Sequence, residues 1–129
     1  MFRAETDWLA GSHIVTVVHG QFETARQAAD AANGEGGEGV RRLIRLGSSL
    51  LLVLNNGAQV PVAEADVRVW RLKPSARGKS THSSDDYERL DVAAADFITV
   101  PDLSGTFSSL AYAVRDAEGK MIDLRSIMA

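Results

Sequence analysis

The chain contains no cysteine, and that absence alone removes disulfides, thiol nucleophiles and thiolate-held zinc. It fits a reducing compartment. Long apolar runs are missing as well. The most apolar one, Leu50–Leu54, is far short of the about 20 residues that a membrane-spanning helix needs. The start, MFRAETDWLA, carries acids and lacks the apolar centre of a signal peptide. Nor is there an excess of positive charge. At a formal charge of −3, nothing in the overall balance draws the chain to nucleic acid or anionic lipid. The expectation is a cytoplasmic, bacterial-style protein with no membrane association.

What is present suits one globular domain over residues 1–129, with 45% apolar and 24% charged residues to divide between a core and a solvated surface. The most legible stretch is Arg41–Trp70. Two apolar segments, Leu50–Leu54 and Ala58–Val62, flank Asn55-Asn56-Gly57. Asn-Gly predicts a type I′ turn with both central residues at positive φ. Leu50–Leu54 shows no alternation and reads as a central strand covered on both faces. Pro61 has no N–H for a ladder, so its strand reads as an edge or a bulge. With Arg42–Leu46 before and Val67–Arg71 after, the expectation is a meander of four strands.

The fragment LLLVLNNGAQVPV within this stretch is similar to the closing strand–turn–strand of LytTR-type DNA-binding domains, which end in Pro-Val-Ser-Arg. Here Ala63-Glu64 stands in place of that Ser-Arg, and the upstream His-Arg-Ser stretch is absent. The likeness is that of a shared hairpin solution, and no functional residue carries over from it.

Elsewhere, residues 1–11 are mixed and read as loosely packed through Phe2, Trp8 and Leu9. The β-branched run His13–His19 predicts a strand. Phe22–Asn33 predicts a helix with Phe22, Ala25, Ala28, Ala29 and Ala32 on one face, stopped by Gly34. Residues 33–39 read as a flexible, disordered connector and Lys73–Asp86 as a long mobile loop. Residues 85–98 favour a helix capped by Ser84, with the alternation of Leu90, Val92 and Ala94 as the case for a strand. Phe107–Arg115 and Lys120–Ile127 predict a second hairpin, joined by Asp116–Gly119 with Gly119 in the left-handed position of a bulge. The fold class is therefore α+β: a mainly antiparallel curved sheet or partly open barrel built from hairpins, with one or two helices packed on it. A pure β-barrel or sandwich is the alternative.

No motif fixes an activity, and whether the protein is an enzyme stays open. Gly34–Gly39 is a literal G-x-G-x-x-G, but it follows a helix, precedes a strand and carries Glu35 and Glu38, which would repel a phosphate. It reads as a linker. His19 and Glu23 stand four apart across a strand-to-helix corner and offer a histidine–carboxylate pair for general-base work. His82 lies among Thr81, Ser83, Ser84, Asp85 and Asp86, which offers hydroxyls and carboxylates near an imidazole, although loop polarity explains the same composition. Arg68, Arg71, Lys73, Arg77 and Lys79 run with no acid between them. With Trp70 for stacking they could clasp phosphates, or they could pair with the acidic segment that follows. The leading expectation is a non-catalytic binding or interaction domain, its ligand unidentified, with no cofactor and no metal. Nucleic-acid binding through the basic run comes second, and a small hydrolase or isomerase using His19, Glu23 or His82 third. Self-association is also expected. The alanine-faced helix buries little area, and neither His13–His19 nor the Ile122–Leu124 strand carries edge-blocking proline or lysine.

Overall fold

The structure is a computed structural model that describes residues 1–11, 13–46, 49–90 and 107–128. Its organising strand lies in residues 1–11, which are not loosely packed. Phe2, Ala4, Thr6 and Trp8 alternate with Arg3, Glu5, Asp7 and Leu9, and this period of two builds β1 (Phe2–Ala10). β1 forms an antiparallel hairpin with β2 (His13–Phe22) and pairs on its other side with β8 (Ser108–Arg115). β2 also pairs with β6 (Val67–Leu72), and β6 with β7 (Tyr87–Leu90), giving a five-stranded sheet in the order β7-β6-β2-β1-β8. β2 is therefore interior, not the free edge expected for His13–His19. A second sheet has the order β3 (Val40–Leu46), β4 (Ser49–Leu54), β5 (Gln59–Pro61). Every pairing among the described residues is antiparallel, neither sheet closes into a barrel, and the α+β class holds.

The four-stranded meander stops at three strands. β4 is central and β5 an edge, but β6 leaves through the 3-10 turn Glu64–Asp66 and joins the other sheet. Pro61 explains the departure, since a strand without that N–H is a poor template for a further neighbour. In its actual place β6 sets Val69 opposite Val15 and Val67 opposite Val17. The turn differs too. Gly57 N–H donates to Leu54 O at 3.0 Å and Leu54 N–H to Ala58 O at 2.9 Å. Gly57 has φ of 88° and, among the described residues, no non-glycine residue has a positive φ. This is a type I turn over Asn55-Asn56 with Gly57 as a left-handed bulge, not type I′. Asn55 and Asn56 are engaged elsewhere. Asn55 Nδ2 donates to Gly34 O and Gly36 O, and the backbone N–H groups of Asn55 and Asn56 donate to Gly39 O and Gly37 O at 2.9 and 3.1 Å. The connector expected to be disordered is thus fastened to this turn.

α1 (Ala25–Ala32) begins at a capping box in which Thr24 Oγ1 accepts from Gln27 N–H at 3.1 Å and Thr24 N–H donates to Gln27 Oε1 at 3.2 Å. Phe22, expected on this helix, ends β2 instead. Ala28, Ala29 and Ala32 pack on Ala4 and Val114, while Leu43, Leu50 and Leu52 of the small sheet pack on Trp8, Val15, Val17 and Val69. Helix and small sheet thus cover the same face of the large sheet. The other face carries Glu5, Asp7, Thr16 and Arg68, and no described helix or sheet packs on it.

Two further expectations change. Tyr87–Leu90 is strand rather than helix, because β6 offers it a partner through Leu72–Tyr87 and Val69–Leu90. Only a 3-10 turn, Ser84–Asp86, precedes it, and residues 91–98 lie outside the described residues. Lys120–Ile127 makes a single bridge, Met121 to Arg115, before α2 (Leu124–Met128). Asp123 Oδ1 accepts from Arg125 N–H at 3.0 Å and turns the chain into that helix, which brings Leu124 and Ile127 onto the α1 cluster. The Asp116–Gly119 turn forms as expected, with Gly119 at φ of 84°.

Candidate functional site

The open face of the five-stranded sheet collects side chains from four strands. Glu5 on β1 is only 6% exposed. Its Oε1 forms an ion pair with Arg68 Nη2 at 3.0 Å, and its Oε2 accepts from Arg115 Nε at 3.1 Å. Arg68 reaches from β6 across β2 to do this, and Arg115 comes from β8 on the other side. Two guanidinium groups thus compensate the charge of one buried carboxylate, which such burial requires. Two positions along β1, Asp7 Oδ1 accepts from Thr16 Oγ1 at 2.6 Å, and Thr16 Oγ1 accepts from Trp70 Nε1 at 3.1 Å. The chain Trp70–Thr16–Asp7 fixes the indole over β2.

Between these groups lies a trough of about 350 Å³. Ala111 and Ala113 form its floor on β8, because small side chains there leave a depression beside β1. Tyr87 rims it on one side and Met121 on the other. The volume falls at the lower end of the about 300–1,000 Å³ usual for small-molecule sites. The chain matches no family model, no curated protein and no solved structure. The chemistry of this face must therefore be argued from its own residues.

The expected site residues divide between this face and other places. Arg68 and Trp70 belong to it. Arg71 pairs with Glu88 across β6 and β7, and Lys79 Nζ lies 2.8 Å from Asp86 Oδ1. Lys73 Nζ donates to Asp85 O at 2.8 Å, and Arg77 is exposed after the 3-10 turn Pro74–Ala76. Two cations of the basic run, Arg71 and Lys79, thus pair with acids that follow it, and Arg68 with one that precedes it. Loop 73–86, expected to be mobile, is closed by Lys73 N–H donating to Asp86 O at 2.8 Å. The Lys79 ammonium, hydrogen-bonded to Asp86, and the Ser83 N–H together hold the Asp86 carboxyl below its ordinary value.

The histidines are not brought together with Glu23. His19 faces the core, where its Nε2 shares a hydrogen bond of 2.9 Å with Thr6 Oγ1, and burial pushes its pKa down to about 4. A neutral, enclosed imidazole is well placed to fill space. Glu23 is exposed just before α1. His82 Nε2 lies 3.0 Å from Ala76 O and its ring meets Tyr87 edge-on, with centroids 6.3 Å apart. Gly34–Gly39 borders a separate depression that Asp30, Glu35 and Glu38 make acidic. Among the described residues no cluster of three His, Asp or Glu side chains is arranged to hold a metal ion. Glu5, Asp7, Thr16 and Arg115 went unnoticed in the sequence. The alternation through residues 2–9 was the available signal for the first two.

Proposed function

We propose that this protein is a non-catalytic binding domain that self-associates and receives a small ligand on the open face of its five-stranded sheet. The observation that carries the reading is the state of the trough's ionisable groups. Glu5 is buried and charge-paired with two guanidinium groups, and Asp7 Oδ1 accepts from Thr16. General-base or nucleophilic catalysis needs a base poised to take a proton from substrate, and a carboxylate paired with two cations is a weak one. Groups joined to one another in this way hold a shape instead. A preformed concavity with apolar walls and a few fixed polar groups is the usual form of a ligand site.

Support for self-association comes from comparing the described sheet edges. β7 spans four residues and includes Glu88 and Arg89, β5 spans three and ends at Pro61, and β3 carries Arg41, Arg42 and Arg45. Short length, proline and charge are the usual protections of an edge. β8 runs for eight residues with charge only at Arg115, Met121 and Ile122 engage it at Val114 and Arg115, and ahead of that point Leu110 is 51% exposed. Pairing of two β8 strands about a two-fold axis would join two sheets into one.

The ligand reading is tested with a neutral apolar dye, Nile red, and the exposed floor residue Ala111. Dye fluorescence should rise with the wild-type protein and not with Ala111→Trp, whose indole fills the trough, while the two melt alike. Equal enhancement by both proteins, or none by either, would refute the proposal.

A further inference from the structure

We infer that the ligand is a small amphiphilic anion, an oxyanion such as a carboxylate or phosphate on an apolar body, with its charged end at Arg68 and Arg115. This rests on the open face being the binding site, and it names the chemistry that face selects.

Positive charge gathers at one end of this face. Arg3, Arg68 and Arg115 share this end of the sheet with Glu5, and Asp7 lies two positions further along β1. Arg3 stands directly opposite Arg115 in the β1–β8 register, a placement that is unfavourable for like charges unless an anion lies between or above them. Arg3 Nε is buried and without a hydrogen-bond partner. Arg68 and Arg115 together carry one more charge than the Glu5 carboxylate neutralises.

The arginines also keep donors to spare. A guanidinium carries five N–H bonds in a fixed fork. Arg68 sets Nη2 in an ion pair with Glu5, while Arg115 gives Nε to Glu5 and Nη1 to Gly119 O at 3.0 Å. Their side chains remain 31% and 27% exposed. Glu5 thus orients both forks while leaving N–H groups for a second oxyanion, and donors already held in place lose little entropy on binding.

The trough also has a direction. Beyond the arginines the trough runs over Ala111 and Ala113 toward Ile14 and Trp70, an apolar surface suited to a ring or alkyl body. Asp7 repels an anion from that end, so the charged group is confined to the arginine end.

Amide and Arg Nε–H spectra recorded by NMR during titration with four probes of one shape test this: benzoate, phenyl phosphate, benzyl alcohol and benzylammonium. Benzoate or phenyl phosphate should shift signals of residues 111–115 and the Arg68 and Arg115 side chains, about tenfold more tightly than benzyl alcohol. Which of the two binds more tightly names the oxyanion. The preference should shrink as salt rises, and Arg68→Met, checked by its melting curve, should abolish it. Benzyl alcohol or benzylammonium binding the face as tightly as the anions would overturn the anion inference while leaving the binding face standing. No shift on this face with any of the four would overturn both.

Discussion

Arg115 Nε donates to Glu5 Oε2 at 3.1 Å, although 110 positions separate the two residues. With Arg68 on the other carboxylate oxygen, this contact ties β6 and β8 to β1 across the open face. Glu5→Gln leaves the arginines without their anion and should lower the unfolding free energy by about 2 kcal/mol. Arg68→Met and Arg115→Met should combine non-additively, since they share one partner. Urea denaturation measures all three. A Glu5→Gln midpoint equal to the wild type would show that these bonds contribute nothing to stability.

His19 sets a pH dependence whose sign follows from its lowered value. Unfolded, the imidazole takes up a proton near 6.5. Folded, it resists protonation down to about 4. Above 6.5 the two states bind protons alike, so there is no effect. Between 6.5 and 4 the unfolded chain binds more, and stability falls with falling pH by about 3 kcal/mol in total. Thermal melts across that window should lose most of this slope in His19→Gln. An unchanged slope would place the titrating group elsewhere.

The glycines of the connector should respond unequally. A Cβ on Gly39 would lie 2.4 Å from the Gly34 carbonyl carbon, whereas one on Gly37 would meet Asn56 Cβ at an ordinary 3.7 Å. Gly39→Ala should therefore cost about 2 kcal/mol or more, and Gly37→Ala should stay within about 0.5 kcal/mol of wild type. Chemical denaturation distinguishes them, and equal effects would contradict the fastening of this loop.

Self-association through β8 predicts a species of two chains by sedimentation at micromolar concentration, insensitive to salt because seven of the eight β8 residues are uncharged. Leu110→Lys should return it to single chains near 13.9 kDa. A wild-type protein that sediments as one chain would rule the pairing out.

The parts of the fold legible in the sequence are those encoded locally. The β-branched run of β2, the Asn55–Gly57 turn, the Gly119 bulge and the alanine face of α1 each announce themselves within a dozen residues. The site was not legible, because its members meet only through the register of four strands. Arg68 looked unopposed along the chain, yet its carboxylate sits on β1. Arg71 likewise finds Glu88 only once β6 and β7 pair. β1 was passed over because its alternation is carried by the small Ala4 and the polar Thr6, which hydrophobic pattern weighs lightly although both are buried. The strand or helix character of Tyr87–Leu90 was decided by the presence of β6, a partner that no local pattern reveals.

The central claim is that the open face of the five-stranded sheet is a preformed binding surface. Crystals soaked in a water-miscible solvent such as isopropanol test it most directly, since solvent molecules settle where an apolar ligand would. They should cluster in the trough bounded by Trp70, Tyr87 and Ala111, with Arg68 and Arg115 still joined to Glu5. Solvent molecules that gather elsewhere and leave the trough to water alone would contradict it.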